Sequence, residues 1–241
     1  MLLSFSIFRT ILLWFFGIPA TIMAFTFALF GALIDRSGNT AHSAGALWTR
    51  AILFLSGVKV SVKGSENIPD GPVVFVANHI GSFDIPVVQG CIPKQFRWVA
   101  KKSLFKIPIV GWGMTLTGHI AVDQKNIRAA VGSIKIAAEK IKAGTSVLIF
   151  PEGSRNTTDK LLPFKRGGFM LATKSEVPII PVSITGTRDI IKIGGYVVRP
   201  NNATLVIGKP IASKGRKVDE LMELSREAIE EGISIGGVSN E

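Results

Sequence analysis

From residue 10 to residue 34 the chain carries no charged side chain. A run of about 25 such residues is long enough to cross a hydrocarbon core of roughly 30 Å at 1.5 Å per residue. This excludes a chain that works wholly in water and requires a membrane segment of some kind. Gly17-Ile18-Pro19 interrupts the run, so a kinked helix, a helix that enters and stays in one leaflet, and a straight span all remain open. Arg9 before the run would suit a cleaved signal peptide, but no small-residue cleavage site follows it. After a polar turn at 35–39, residues 41–57 read as a second helix with Leu47, Ala51, Phe54 and Leu55 on one face and Trp48 and Arg50 at an interfacial level. Arg9 on one side against Arg36 and Arg50 on the other favours a cytosolic body and, with it, the cytoplasmic face of a cell membrane.

The remainder alternates strand-like and helix-like stretches. This predicts an N-terminal two-helix membrane element over residues 1–57 and one α/β domain over 58–241, with a mixed, mostly parallel sheet flanked by helices. Cys91 is the only cysteine, so no internal disulfide is possible and a reducing compartment fits. Lys and Arg outnumber Asp and Glu 28 to 17, a net charge of +11 that calls for an anionic partner. Nucleic acid is a poor fit, because the basic residues are spread along the body without aromatic interleaving and Tyr196 is the only tyrosine.

Apolar, β-branched runs at 73–77, 146–150 and 177–184 predict buried strands, with a further strand at 203–207, an alternating edge strand at 58–62 and short strands at 96–100 and 119–122. Helical spacing marks 127–141, with Asn126 as its cap, and 217–231, with fraying from Gly236 onward. The apolar, glycine-rich stretch 104–118 suits either a tunnel cover or a packed helix and loop.

Chemistry concentrates where these strands end. The run ending at Ala77 leads into Asn78-His79-Ile80-Gly81-Ser82-Phe83-Asp84. A histidine held in one tautomer by a carboxylate can take a proton from a hydroxyl at neutral pH. Taken alone, such a pair is more often a satisfied structural histidine and a helix-capping aspartate. The strand ending at Phe150 leads into Pro151-Glu152-Gly153-Ser154-Arg155. There a guanidinium could bind phosphate bidentately, or the stretch could be a polar turn with an internal Glu–Arg pair. Lys101-Lys102 follow a third strand. No zinc spacing, Walker loop or G-x-S-x-G elbow occurs.

Four blocks in order, N-H-I-G-S-F-D (78–84), G-H-I-A-V-D (118–123), F-P-E-G-S-R (150–155) and V-P-I-I-P-V (177–182), resemble those of the glycerolipid acyltransferases, in particular the bacterial 1-acylglycerol-3-phosphate acyltransferases. The likeness spans roughly residues 45–212 and includes connecting text such as A-K-K-S-L-F-K-I-P and P-F-K-R-G-G-F. It implies transfer of a fatty acyl group from acyl-CoA or acyl carrier protein to the sn-2 hydroxyl of lysophosphatidic acid, giving phosphatidic acid. No acyl-enzyme and no cofactor beyond the donor are implied. By the same resemblance His79 is the general base and Asp84 orients it. Glu152, Gly153, Ser154 and Arg155 match acceptor-binding positions, with Arg155 on the phosphate and Lys101 lining the same site. Ser154 stands where threonine is commoner. The second block usually ends in Asp-Arg, whereas here Asp123 is followed by Gln124. Either Lys125 takes over that role, or the acceptor is another lysolipid such as an acyl-ornithine lipid or a lysophospholipid.

Overall fold

The apolar runs become the middle of a sheet. The structure, a computed structural model, describes residues 2–35, 37–108, 110–123, 127–158 and 160–237. Among them are seven strands: β1 (Lys59–Lys63), β2 (Val74–Ala77), β3 (Arg97–Lys101), β4 (Ile120–Val122), β5 (Val147–Ile149), β6 (Ile179–Thr185) and β7 (Asn202–Ile207). They form one sheet in the order β1-β7-β6-β2-β5-β3-β4. All neighbours are parallel except β6 and β7. The sheet is therefore mixed and mostly parallel, as expected. β2 and β5 are buried at every position because helices cover both faces, which is why they read as unbroken apolar runs rather than alternating ones.

Alternate residues divide the core in two. Phe75, Ala77, Leu148, Ile180 and Val182 point to the side of α2 (Asn39–Ser56) and α3 (Asp84–Cys91). Val74, Val76, Val147, Ile149 and Ile179 meet α5 (Ile127–Lys142), α6 (Gly167–Ser175) and α7 (Val218–Gly237). Helix α7 runs through Gly236, where fraying was expected. Its glycines do not end the helix but let it press on β6: a Cβ on Gly232 would meet Ser183 Oγ at 2.3 Å, and one on Gly236 would meet Thr185 Oγ1 at 2.9 Å.

Helix α1 (Leu2–Ile34) is unbroken through Pro19, and one stretch of it, Ser4–Ile34, is long and apolar enough to cross a membrane. It is also fastened to the body along its length. Thr10 Oγ1 accepts from Val198 N (2.9 Å), Trp14 Nε1 donates to the Tyr196 carbonyl (2.9 Å) and Trp48 Nε1 donates to Thr21 Oγ1 (3.0 Å). Its other side exposes Ile11, Phe15, Ile22, Phe27, Phe30 and Leu33, a continuous apolar strip. In α2 the anticipated face of Leu47, Ala51, Phe54 and Leu55 splits: Leu47 and Phe54 are exposed, whereas Ala51 is half-buried and Leu55 packs against the core. The buried residues are Ala41, His42, Thr49, Leu53 and Ser56.

The helix pair is clamped to the sheet by Arg97, whose buried guanidinium donates to the carbonyls of Phe96 (3.0 Å) and Ser37 (2.7 Å) and to Asn39 Oδ1 (2.8 Å). Burial, and then the charge of Arg97, push His42 down to about 4 and His119 down to about 3. Both are therefore neutral in the folded chain at pH 7. The unfolded chain protonates first as pH falls, so this stability is complete above about pH 6.5 and drains away below it. From pH 7.5 to pH 5 we expect a loss of about 2 kcal/mol, discounted for partial solvation. Denaturant midpoints at the two pH values measure it, and a flat profile would contradict this account of the clamp.

Candidate active site

Because β2 through β6 run parallel, their C-terminal ends meet at one sheet edge, the usual place for a site in such folds. Asn78 fixes the end of β2: its amide donates to the Ile184 carbonyl (3.0 Å) and its Oδ1 accepts from Ile184 N (2.7 Å). His79 comes next. Its Nδ1–H donates to Asp84 Oδ2 at 2.7 Å, which leaves Nε2 as the nitrogen able to accept a proton. The imidazole lies flat on Phe150, with ring centroids 4.1 Å apart and planes within 10°.

Asp84 opens α3 and is fully buried. Its Oδ2 also accepts from Ile80 N (2.6 Å) and Gly81 N (2.9 Å), and its Oδ1 from the Thr187 hydroxyl. Together with the imidazole these make four donors on one buried carboxylate, three of them converging on Oδ2. The residue thus shapes the 79–84 turn and orients the histidine at once. Gly81 must remain bare, since a Cβ there would come within 2.7 Å of the Thr187 carbonyl.

The turn after β5 grips the histidine from below. Glu152, also buried, accepts from His79 N through Oε1 (2.8 Å), and from Asn156 Nδ2 (3.0 Å) and Leu162 N (2.9 Å) through Oε2. Asn156 N in turn donates to the His79 carbonyl at 2.6 Å. Both backbone polar groups of His79 are held by this one turn.

The family model described as Acyltransferase matches residues 59–185, more than half of the chain. The chain belongs to this acyltransferase family. It is 32% identical over 209 residues to the chloroplastic 1-acyl-sn-glycerol-3-phosphate acyltransferase BAT2 of Brassica napus, an alignment covering 86% of this chain and 60% of that one. It is 34% identical over 197 residues to LPAT1 of Arabidopsis thaliana, covering 80% and 54%. This chain therefore spans little more than half the length of these curated relatives. Among solved structures, it is similar to the crystal structure of the 1-acyl-sn-glycerophosphate acyltransferase PlsC of Thermotoga maritima, with a TM-score of 0.82, 30% identity and 97% of both chains covered.

Within this family member, the residues singled out from sequence fall into two groups. His79, Asp84 and Glu152 form one hydrogen-bonded unit. Arg155 is exposed and reaches back to the same turn, donating from Nη1 to Ser82 Oγ at 2.7 Å. Gly153 adopts φ +73°, and a Cβ there would collide with the Lys165 ammonium, so only glycine lets that side chain cross. Ser154 is exposed beside it. Lys101 ends β3, exposed, two strands from β2 and so about 10 Å along the edge. Gln124, Lys125 and the anticipated cap Asn126 lie outside the described residues, as does Arg36.

Phe150, Asn156 and Thr187 were not assigned a role from sequence. Phe150 also lines a cleft of about 520 Å³ together with Val99, Ile149, Leu171, Lys165 and Arg166. The volume is of the size that holds a small-molecule substrate.

Proposed function

We propose that the chain moves a fatty acyl group from a thioester donor to the free hydroxyl of 1-acylglycerol-3-phosphate, making phosphatidic acid. The observation that carries this reading is the tethered His79 opening onto the same edge as the exposed cations Arg155 and Lys101. His79 Nε2 takes the acceptor hydroxyl proton as its oxygen bonds to the thioester carbonyl carbon. The tetrahedral adduct then expels the donor thiolate, which receives the proton from the imidazolium. Asp84 holds the tautomer and balances the imidazolium charge that forms in between. Ser154 has no part as nucleophile, in keeping with direct transfer.

Arg155 takes the acceptor phosphate with Lys101 near it, and the mostly apolar cleft behind Phe150 receives an acyl chain. The exposed strip on α1 keeps the edge at the cytoplasmic face of a membrane, where acceptor and acyl tail are concentrated. Glu152 is assigned the support of His79 rather than a ligand contact, since both of its oxygens are already engaged.

A panel of lysolipids offered with acyl-CoA and with acyl carrier protein tests the assignment. Phosphatidic acid should form. Acylation of an ornithine lipid or a lysophospholipid in its place would transfer the reading to that acceptor, the alternative raised by Gln124. In the same assay Arg155→Ala should raise KM for lysophosphatidic acid about 10-fold or more, the value of a charge-assisted hydrogen bond.

A further inference from the structure

Beyond Lys101 the chain leaves the sheet edge through Lys102 and a 3₁₀ turn, Leu104–Lys106, into the short helix α4 (Val110–Leu116). This segment displays its apolar side chains. Leu104, Ile107, Val110 and Leu116 are each 40–49% exposed, and Trp112 is 68% exposed. Five large apolar residues among twelve described positions, all open to the outside, are more than scattered surface hydrophobics.

The described residues of the segment fold back on one another and onto α1. Gly111 N donates to the Ile107 carbonyl (2.7 Å) and Phe105 N to that of Lys102 (3.2 Å). A Cβ on Gly111 would fall 2.0 Å from the Phe105 carbonyl oxygen, and one on Gly113 would fall 2.6 Å from the Phe25 ring of α1. Bare backbone at these two places lets α4 fold onto its own turn and onto α1. The exposed patch is thereby fixed against α1 at Phe25, beside that long apolar helix. Between α1, α2 and α4 lies an apolar crevice of about 280 Å³, lined by Phe25, Leu29, Trp48, Val110 and Met114. At the root of the segment stand exposed Lys101, Lys102 and Lys106.

We propose that residues 104–108 and 110–116 form a second lipid-docking element, seated on an anionic bilayer next to α1. An indole and aliphatic groups sink below the headgroups while the lysines meet their phosphates, the pairing of interfacial apolar contact and basic charge that membrane surfaces select. Contact with α1, the helix long and apolar enough to cross a membrane, favours a bilayer over an acidic carrier protein, which would engage the lysines but has no need of an apolar patch beside that helix. Docking at two places fixes the tilt of the sheet and brings Lys101 to headgroup level. The inference rests on the reading that the chain acts at a lipid surface.

The test uses the full chain on a Cys91→Ser background, labelled with a fluorophore at Trp112→Cys, at Phe15→Cys on α1 or at Lys214→Cys. It is reconstituted in phosphatidylcholine and phosphatidylglycerol vesicles with and without doxyl-quencher lipids. Labels at 15 and 112 should be quenched several-fold more than the one at 214. Quenching at 15 without quenching at 112 would reject the second element while leaving membrane action intact. Quenching at neither would remove both. A label at 112 that responds to acyl carrier protein instead of lipid would make the patch a donor dock and overturn the proposal. As a functional readout, the double variant Val110→Ser, Trp112→Ser should acylate vesicle-embedded acceptor about 10-fold more slowly, from the apolar burial lost. Its rate on a dispersed short-chain acceptor should be unchanged, and equal losses on both would also overturn the proposal.

Discussion

Replacing His79 with alanine should lower kcat by about 10²–10⁴-fold, the usual contribution of a positioned base, while the protein remains folded. The structure explains why these two effects separate here. The imidazole side chain is 15% exposed and its main packing partner is the Phe150 ring, a contact worth about 1 kcal/mol. Its removal costs Asp84 one donor but leaves Ile80 N, Gly81 N and Thr187 in place, so the turn persists. Asp84→Ala cannot offer this clean reading. It strands those three donors in the interior at about 1–3 kcal/mol for an unsatisfied buried group, so lost activity would be mixed with lost fold. Initial rates and thermal unfolding, measured side by side on His79→Ala, check the expectation. Undiminished acyl transfer by that variant would end the general-base assignment.

What could be seen in advance from the chain, and what could not, follows from sequence distance. His79 and Asp84 are five positions apart across a turn, so their meeting was legible as a pattern. Strand ends were legible too, because buried parallel strands are apolar runs that stop abruptly at polar residues such as Asn78 and Pro151-Glu152. Thr187 lies 103 residues from Asp84, and Ile184 lies 106 from Asn78. Their contact depends on β6 lying next to β2, and that order arises from the packing of helices on both faces. No single stretch encodes it. The outward turn of Leu47 and Phe54 has a different cause. Hydrophobic periodicity reports which face avoids water, and beside a membrane that face need not be the one against the protein core. In α2 Leu53 is buried and Ile52 and Leu55 pack against the core, while Leu47 and Phe54 face outward.

Glu152→Gln is expected to lower kcat about 10–100-fold with acceptor KM changed by less than about threefold. That split distinguishes a support for the histidine from a ligand contact. The carboxylate accepts three hydrogen bonds and donates none. Glutamine has the same shape but offers one acceptor oxygen, and its amide must then face either His79 N or the pair formed by Asn156 and Leu162. One buried donor–donor clash of this kind costs about 1–3 kcal/mol. The chain can relieve it only by shifting the turn that holds both backbone polar groups of His79. A displacement on the order of 1 Å at a reacting nitrogen can cost about 10²-fold in rate. Arg155, exposed and anchored through Ser82, is untouched by the substitution, so under its proposed role acceptor affinity should be largely kept. If Glu152 instead bound the acceptor directly, the same substitution would raise KM at least 10-fold and leave saturated turnover close to normal. Steady-state kinetics on this one variant, with its melting curve as the control for folding, therefore decides whether the acid of the second strand-end turn acts on the substrate or through the histidine.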